Sequence, residues 1–512
     1  MDESHDPSDD PFGFFFSETY GPFVVSELLE SPEMNGSLDR TENHVSSENE
    51  GGLGNSRSDN DAWMQLNNLP GGDLGGRRIG KILVSITELA KGSNGTVVFE
   101  GTYEGRTVAV KRLVRAHHDV AFNEIQNLIA SDRHPNIVRL YGVDSDRDFV
   151  YLALERCICS LDDLIRLLSE SSKNFVFPEE DKIKLDSLGV TMKDVNLWRA
   201  DGHPSTLLLK LMSDVVSGLG HLHDLGIIHR DLKPQNVLIS KNPSLVAQLS
   251  DMGISKCLPD DESSLGYHTT GCGSSGWRAP EQLRHGGRQT RAMDLFSLGC
   301  ALFFCVTGGR HPFGERLERD INILNNKIDL SLVEFIPEAY DLLSRLLNPD
   351  LELRPKASEV LHHPFFWSSE MRLSFLCDIS NIVHLEIARA SNSDFLNALE
   401  SIASMVFDGR WDEKIDHVLR AEIGKRPYDY SLVRDLLRAV RNKWTHRIEL
   451  PEEVKELLGP SPEGYDNYFA GRFPRLLMES YRVVCQIFKV DDERFREYFR
   501  SDALGHFGHL PR

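Results

Sequence analysis

The chain has 512 residues, which is long enough for two or three domains with substantial cores. Its 57 basic and 78 acidic side chains give a formal net charge of −21. This charge excludes non-specific attraction of the whole chain to nucleic acid or to anionic membranes, so any RNA contact requires a local basic patch. The eight cysteines have no paired spacing, which favours reduced thiols over a disulfide framework or a zinc site.

Residues 1–78 are rich in Asp, Glu, Ser, Asn and Gly, and we expect them to form a disordered acidic tail. Its cluster of Phe12, Phe14, Phe15 and Phe16 suits a partner-binding motif and a patch without function about equally. The N-terminus lacks the basic start of a signal peptide. The longest apolar run, residues 298–307, is shorter than the roughly 20 residues that a bilayer requires. The sequence therefore predicts no membrane span.

Residues 79–113 alternate apolar and polar side chains and predict three strands separated by two turns. The first turn contains Gly92 and Gly95, where the backbone can approach a phosphate because no Cβ intervenes. Lys111 ends the third strand, and the helical segment that follows contains Glu124. Each would suit the surface if taken alone, but in this order and spacing they predict an ion pair.

Residues 229–240, HRDLKPQNVLIS, place Asp231, Lys233 and Asn236 within six positions. Phosphoryl transfer requires these three chemistries together: a carboxylate receives the hydroxyl proton, a cation offsets phosphate charge, and an amide oxygen helps to hold a metal. The segment LSDMGIS then supplies a second metal-binding carboxylate, Asp251, followed by a methionine that we expect to pack inward.

This series of motifs resembles the protein-kinase signature. The resemblance implies an α+β, bilobal kinase fold over residues 79–367, with an insertion loop at 171–204 whose function is not readable. It implies ATP or ADP with Mg²⁺ as cofactors, and Asp231 and Lys233 as catalytic residues. Asn236 and Asp251 would hold the metal. The nucleotide-binding residues would be Gly92, Gly95, Lys111, Glu124, Glu155, Cys157, Asn236 and Asp251.

Residues 257–276 are polar and correspond to the activation loop of kinases. Phosphorylation would add nearly two negative charges at a site, and any single hydroxyl suits an ordinary solvated loop equally well. The same resemblance pairs Glu281 with Arg354 and makes Asp294 the buried anchor of the catalytic loop. Because every required part is present, the sequence favours an active kinase over a pseudokinase. The candidate phosphosites are Ser263, Ser264, Thr269 and Thr270.

An ordinary kinase domain would end near residue 367, but this chain continues for 512 − 367 = 145 residues, mostly with helical periodicity. Residues 433–446 predict an amphipathic helix with Asn442 and His446 adjacent on its basic face. Arginines can hold a phosphodiester and a histidine can protonate a leaving oxygen, which suits metal-free RNA cleavage. Taken alone, such a face is more often solvated surface. The basic face contains Arg434, Arg438, Arg441, Asn442, Thr445 and His446.

A kinase domain followed by YDYSLVRDLLRAVRNKWTH resembles the inositol-requiring kinase/endoribonucleases of the unfolded protein response, most closely their plant members. The resemblance implies an all-α kinase-extension nuclease domain over residues 368–512. In it, His446 corresponds to the general acid and Tyr428 to the residue that assists deprotonation of the ribose 2′-hydroxyl. Arg441 and Asn442 correspond to groups that hold the phosphate, and the nuclease step needs no metal.

The same resemblance implies homodimers or oligomers through the kinase domain, whose mutual phosphorylation activates the nuclease. Substrates would be stem-loop mRNAs of a transcription factor, cut for unconventional splicing, and DNA is not expected as a partner. Family members usually add a lumenal sensor and a membrane span. We expect neither here, and so expect a cytoplasmic protein, or one held at the endoplasmic reticulum through hetero-oligomers with full-length relatives.

Two alternatives stay open from the sequence. The chain could be a kinase whose extension is only a helical interaction module, or a regulatory scaffold in which ATP binding alone matters. RNA cleavage that depends on His446 would exclude the first alternative, and phosphoryl transfer that depends on Asp231 would exclude the second.

Overall fold

The computed structural model describes residues 76–92, 95–169, 188–190, 192–241, 243–257, 273–284, 289–388, 394–488 and 492–499. Residues 1–75 of the expected disordered tail, the four candidate phosphosites and residues 171–187 and 191 of the expected insertion loop lie outside these residues. Residues 76–78, which we expected to belong to the tail, lie instead in a strand, Gly76–Ile79, because they pair with the strand that follows. Two compact units divide the chain. One contains Arg139–Arg156 together with the residues before Ala130, and the other contains Ala130–Val138 together with Cys157–Arg512.

The first unit contains an antiparallel six-stranded sheet in the order β1-β2-β3-β4-β6-β5. The three strands predicted from the sequence are present, and the short strand β1 precedes them. Glu104 and Gly105 form the β3–β4 turn at φ 47° and 84°, a conformation that glycine adopts without a Cβ clash. One helix, α1 (His118–Ala130), follows β4. The strands are β1 (Gly76–Ile79), β2 (Ile82–Lys91), β3 (Val97–Tyr103), β4 (Arg106–Val114), β5 (Leu140–Ser145) and β6 (Phe149–Leu154).

The second unit begins with a helical region that carries the catalytic loop. Ser205 caps α3 by accepting from Leu208 N at 3.2 Å, and the buried residues of α3 recur every three or four positions. Helix α5 contains most of the apolar run at 298–307 and is buried along nearly its whole length, so this run is a core helix. The helices are α2 (Leu161–Leu168), α3 (Thr206–Asp224), α4 (Pro280–Leu283), α5 (Arg291–Val306), α6 (Arg319–Leu324), α7 (Pro337–Leu346) and α8 (Ala357–Leu361).

Five short strands flank the catalytic loop in this unit. They form one three-stranded sheet in the order β10-β9-β7 and one pair, β11-β8. Strand β9 follows directly after Asn236, so the sheet holds the end of the catalytic loop. The strands are β7 (Cys159–Ser160), β8 (Ile227–Ile228), β9 (Val237–Lys241), β10 (Leu245–Leu249) and β11 (Lys256–Cys257).

The extension after residue 367 is helical, and the described residues between 369 and 499 contain no strand. The predicted amphipathic helix is α13, whose side chains Leu436, Leu437 and Val440 are completely buried. Together with the kinase region, this helical extension confirms the α+β fold class. The helices are α9 (Ser369–Ala388), α10 (Asp394–Ser401), α11 (Ala403–Val406), α12 (His417–Ile423), α13 (Val433–Thr445), α14 (Glu452–Leu458), α15 (Pro462–Arg472), α16 (Leu476–Ile487) and α17 (Arg496–Phe499).

A shared carboxylate joins the kinase region to the extension. Asp341 on α7 accepts from Arg482 on α16, at 2.6 Å from Nη2 and 3.1 Å from Nε. It also accepts from His363 Nε2 at 3.1 Å and from Arg345 Nε at 2.8 Å. Burial alone would raise the pKa of Asp341, but these partners lower it far below its ordinary value. Trp367 packs its ring beside Tyr481 of α16 at 5.7 Å.

Among the helices in the described ranges, none combines the length and apolar character that a bilayer crossing requires. The seven cysteines that fall within these ranges are free thiols.

Candidate active sites

In the first unit, Lys111 of β4 and Glu124 of α1 form the ion pair predicted from the sequence. Lys111 Nζ lies 2.5 Å from Glu124 Oε1, and the side chains are only 10% and 2% exposed. Because a buried ion of either sign is costly without an opposite charge nearby, each residue of this pair stabilises the other.

The glycine turn of the same unit is closed by its backbone. Gly92 N donates to Thr96 O at 2.8 Å, and Gly95 has φ 74°. A Cβ on Gly95 would lie 3.1 Å from a Val114 methyl group, so both conformation and space favour glycine. Ala90, at the place of a further glycine in the kinase pattern, is a paired residue of β2.

The two expected adenine-binding residues fall on different sides of the unit boundary. Glu155 donates its backbone N–H to Arg139 O at 2.9 Å within the first unit. Cys157 is buried in the second unit, where its Sγ lies 3.6 Å from Gln248 Oε1.

The catalytic loop brings Asp231, Lys233 and Asn236 together. Asp231 Oδ2 accepts from Lys233 Nζ at 2.7 Å and from Asn236 Nδ2 at 3.0 Å. Its Oδ1 accepts from Ser274 N at 2.8 Å. These bonds fix the Asp231 carboxylate from two sides, and Lys233 also reaches Ser274 Oγ at 2.5 Å. The arrangement sets a carboxylate and an ammonium side by side, as general-base phosphoryl transfer requires.

Asp294 anchors this loop from the buried helix α5. Its carboxylate accepts the N–H groups of His229 and Arg230, each at 2.8 Å, and lies 3.0 Å from His223 Nε2. Although complete burial would raise the pKa of Asp294, these hydrogen bonds and charges lower it. Arg230 has φ 69°, so the Asp294 bonds hold a backbone conformation that arginine seldom adopts.

The oxygen ligands expected for Mg²⁺ are Asn236 and Asp251. Ser250 N donates to Asn236 O at 2.9 Å, which ties the residue before Asp251 to the catalytic loop. The side-chain hydrogen bonds of Asn236 both use Nδ2, so its amide oxygen can serve a cation. A carboxylate and an amide oxygen are ligands that Mg²⁺ prefers, and the residues present therefore fit this ion. Met252 is completely buried, as expected.

The expected partner of Glu281 is present in the same unit. Arg354 binds both carboxylate oxygens, at 2.6 and 2.9 Å, in the bidentate geometry that arginine favours. Both side chains are nearly inaccessible to solvent.

A pocket in the extension gathers three of the four predicted nuclease residues, Tyr428, Asn442 and His446. Arg441 is not among the residues that line it. The pocket is bounded by the loop after α12, the last turn of α13 and the turn that follows. Its lining residues are Glu422, Lys425, Arg426, Tyr428, Asn442, Lys443, His446, Glu449 and Leu450.

Tyr428, Asn442 and Arg441 form a chain of hydrogen bonds. Asn442 Nδ2 donates to the Tyr428 hydroxyl at 3.0 Å, and Arg441 Nη2 donates to Asn442 Oδ1 at 3.3 Å. Arg441 Nη1 in turn donates to Asn381 Oδ1 at 3.1 Å and to Ser380 O at 3.4 Å, both on α9. Arg441 therefore orients the amide, and α9 orients Arg441.

His446 lies one residue beyond the end of helix α13, whereas the sequence predicts that it lies on the helix. Helix α13 ends at Thr445, and His446 is its C-cap, with its N–H donating to Asn442 O at 3.1 Å. The predicted i, i+4 proximity to Asn442 is thus kept, and both residues line the pocket. His446 Nδ1 lies 3.3 Å from Glu449 Oε1, and the side chain is 49% exposed. Nε2 is the nitrogen left for proton transfer.

The other guanidiniums of the basic face are less open than the sequence pattern suggests. Arg438 stacks over the Tyr428 ring at 4.4 Å, and Arg434 Nε lies 3.8 Å from Glu400 of α10. The basic face is therefore bound in part to neighbouring elements.

Sequence reasoning missed Lys443 and Glu422. Lys443 is only 8% exposed, and its Nζ donates to Glu422 O at 3.3 Å and to Oε1 at 3.2 Å. Burial would raise the pKa of Glu422, but hydrogen bonds from Lys425 and Lys443 lower it. The available signal was the position of a lysine on the buried side of an amphipathic helix, where a carboxylate partner is expected.

Two family models match this chain. Residues 83–366 match the protein kinase domain, and residues 372–499 match the model described as ribonuclease 2-5A. The chain is 60% identical over 450 residues to serine/threonine-protein kinase/endoribonuclease IRE1a of Arabidopsis thaliana, covering 86% of this chain and 53% of that relative. It is 56% identical over 436 residues to IRE1 of Oryza sativa subsp. japonica, covering 85% and 46%.

This chain matches a larger share of the length of a third relative. The inactive serine/threonine-protein kinase/endoribonuclease IRE1-like of Arabidopsis thaliana is 42% identical over 446 residues, covering 82% of this chain and 78% of the relative. The chain belongs to the IRE1 family of kinase/endoribonucleases. This confirms the resemblance stated from the sequence, including its plant type.

The chain spans about half the length of the first two IRE1 relatives. The kinase domain implies ATP as the nucleotide, usually with Mg²⁺. The name of the third relative describes that protein as inactive.

Proposed function

We propose that this chain is an ATP-dependent Ser/Thr kinase whose autophosphorylation and dimerisation activate a C-terminal endoribonuclease. The observation that carries the proposal is the pocket shared by Tyr428, Asn442 and His446, in a chain whose kinase catalytic loop is complete. The names of the Arabidopsis and rice relatives, which include both activities, support it.

In the kinase step, Asp231 accepts the proton of the substrate hydroxyl while Lys233 offsets the charge on the phosphoryl oxygens. Lys111, kept charged by Glu124, contacts the nucleotide phosphates, and the backbone near Gly92 and Gly95 approaches them. Bound ATP with Mg²⁺ supplies the transferred phosphoryl group and the neutralising charge. Asn236 and Asp251 would hold the metal, and backbone groups near Glu155 and Cys157 would meet the adenine.

In the nuclease step, the ribose 2′-hydroxyl attacks its own phosphodiester, and no metal takes part. Tyr428 assists removal of the 2′-proton, and His446 donates a proton to the leaving 5′-oxygen. Asn442 and Arg441 hold the phosphate and its neighbours in position. The products carry a 2′,3′-cyclic phosphate and a 5′-hydroxyl. The substrate is a stem-loop mRNA whose unstacked loop bases are accessible, and its cleavage would serve unconventional splicing in the unfolded protein response.

The test is cleavage of a fluorescent stem-loop RNA by the full chain, with and without ATP or ADP and Mg²⁺. We expect nucleotide to stimulate cleavage and to increase the fraction of dimer in light scattering. His446→Ala should abolish cleavage, and His417→Ala, an exposed histidine of the same region, should not. Cleavage that survives His446→Ala would overturn the nuclease assignment.

The name of the third relative favours a second candidate, a scaffold without catalysis. It predicts no phosphoryl transfer and no cleavage from a protein that still binds nucleotide. Autophosphorylation that is lost in Asp231→Asn would exclude it. An autophosphorylating chain that never cuts RNA would instead leave a kinase with a helical interaction module.

A further inference from the structure

The nuclease helix α13 begins without a capping side chain of its own. Its N-cap residue is Leu432, which cannot accept a hydrogen bond through its side chain. The first N–H groups of a helix have no acceptor within the helix, and a nearby Ser, Thr, Asp or Asn usually supplies one.

Glu400 of α10 takes this role from more than thirty positions away. Val433 N donates to Glu400 Oε2 at 2.8 Å, and Arg434 N donates to Oε1 at 3.3 Å. Both oxygens of one carboxylate thus cap the helix, where its dipole also favours negative charge. Arg434 Nε lies 3.8 Å from Oε1. The Glu400 side chain is 22% exposed, so these bonds are partly shielded from water.

The acidic residue in the first turn of α13, Asp435, accepts a hydrogen bond from the preceding loop. Asp435 accepts the backbone N–H of Asp429 at 2.6 Å, which holds the loop that carries Tyr428. Glu400 therefore supplies, from a separate helix, the side-chain oxygens that accept the first N–H groups of α13.

The placement of α13 determines the positions of two proposed nuclease residues, Asn442 and His446. Asn442 lies nine residues after Val433, about 13 Å along the axis at 1.5 Å per residue, and His446 follows the last turn. A helix moves as a rigid rod, so a shift or rotation at its start displaces both side chains. Displacements of about 1 Å at catalytic groups can lower a rate about 100-fold.

We propose that Glu400 is a positioning residue for RNA cleavage, which ties the start of α13 to α10 and thereby places Asn442 and His446. The proposal rests on the nuclease function proposed above. Glu400 acts through the helix and does not touch RNA.

The test separates helix stability from helix placement. In the full chain, Glu400→Ala removes both the cap and the tether. The double variant Glu400→Ala with Leu432→Asp restores a local cap while leaving the link to α10 broken. Glu400→Gln keeps the side chain and an acceptor oxygen, and so gives a folded variant with a weaker cap. Asn397→Ala, an exposed residue of α10, is the matched control.

The measurements are Tm, autophosphorylation, and kcat and KM for the fluorescent stem-loop. We expect Glu400→Ala to lower kcat about 10- to 100-fold with little change in KM, because geometry rather than RNA affinity is lost. The double variant should regain Tm but not kcat, Glu400→Gln should be intermediate, and autophosphorylation should be unchanged.

Recovery of kcat together with Tm in the double variant would overturn the proposal, since any cap would then suffice. Unchanged kcat in Glu400→Ala would overturn it as well. Absence of cleavage by the unmodified chain would instead overturn the nuclease function itself, and the positioning role with it.

Discussion

Asn442 Nδ2 donates a hydrogen bond of 3.0 Å to the hydroxyl oxygen of Tyr428. The two side chains come from different segments, one from α13 and the other from the loop before it. This bond fixes the phenol relative to the amide, so the two groups should act on RNA as one unit.

Tyr428→Phe and Asn442→Ala should therefore be strongly non-additive. Loss of proton-transfer assistance from Tyr428 should lower kcat about 100- to 10,000-fold, and loss of Asn442 about 100- to 1,000-fold. The double variant should be close to the worse single variant, because each change already disrupts the pair. Single-turnover cleavage of the stem-loop measures all three. Strictly multiplicative effects would show that the two residues work independently.

Lys111→Ala should destabilise the first unit far more than removal of a surface ion pair. It leaves the Glu124 carboxylate buried without its partner, which costs about 3–5 kcal/mol. Arg156→Ala is the matched control, because Arg156 pairs with Glu100 at 2.9 Å near the surface and is worth less than about 1 kcal/mol. Urea denaturation followed by fluorescence gives the free energy of unfolding of each variant. Equal losses of unfolding free energy in the two variants would mean that water reaches Glu124 readily.

Asp341→Asn should reduce stability near neutral pH and reduce it by a smaller amount at pH 3. Because the pKa of Asp341 is lowered in the folded state, its contribution is complete above the ordinary aspartate value of about 4 and decreases steadily as pH falls from there towards the lowered folded-state pKa. We expect a loss of about 1–3 kcal/mol at pH 7, from weakened charged hydrogen bonds. Denaturation curves at pH 7 and pH 3 measure the difference.

The control for this change is Asp408→Asn, an exposed aspartate of the extension, which should leave both curves in place. A constant loss from pH 7 to pH 3 would contradict the role of the Asp341 charge.

Removal of divalent metal should separate the two activities. Chelation with EDTA should stop autophosphorylation, because the roles that we propose for Asn236 and Asp251 require the cation. A chain that was phosphorylated beforehand should still cut the stem-loop, since the nuclease step that we propose relies on protein side chains alone. A nuclease that stops with EDTA and recovers with added Mg²⁺, while its RNA stays folded, would contradict the metal-free mechanism.

The kinase region was largely predictable because its motifs are local. Asp231, Lys233 and Asn236 lie within six positions, so their proximity follows from the chain itself. The amphipathic helix α13 was also predictable, since its apolar side chains recur with a helical period. Its end was placed one residue too late, because periodicity does not show where a residue such as His446 leaves the helix.

Contacts between distant segments were not predictable from these patterns. Glu400 and Val433 are 33 positions apart, and Asp341 and Arg482 are 141 apart. Nothing local in the sequence pairs a glutamate on one helix with the start of another. For the same reason the sequence analysis does not single out Lys443, which folding buries against Glu422.

The carboxylate of Asp341 belongs to a kinase helix, yet Arg482 of the nuclease region helps to keep it charged. A fragment ending at residue 367 would leave this acid without that guanidinium and would expose the Trp367 face that Tyr481 covers. A fragment starting at residue 368 would leave the ring of Tyr481 without Trp367 beside it. Neither half is then a good candidate for separate expression, and a gene that lost one half would place the other at risk of aggregation. The kinase region and the extension should therefore be produced as one chain, because a cut between residues 367 and 368 leaves each part without contacts that the other supplies.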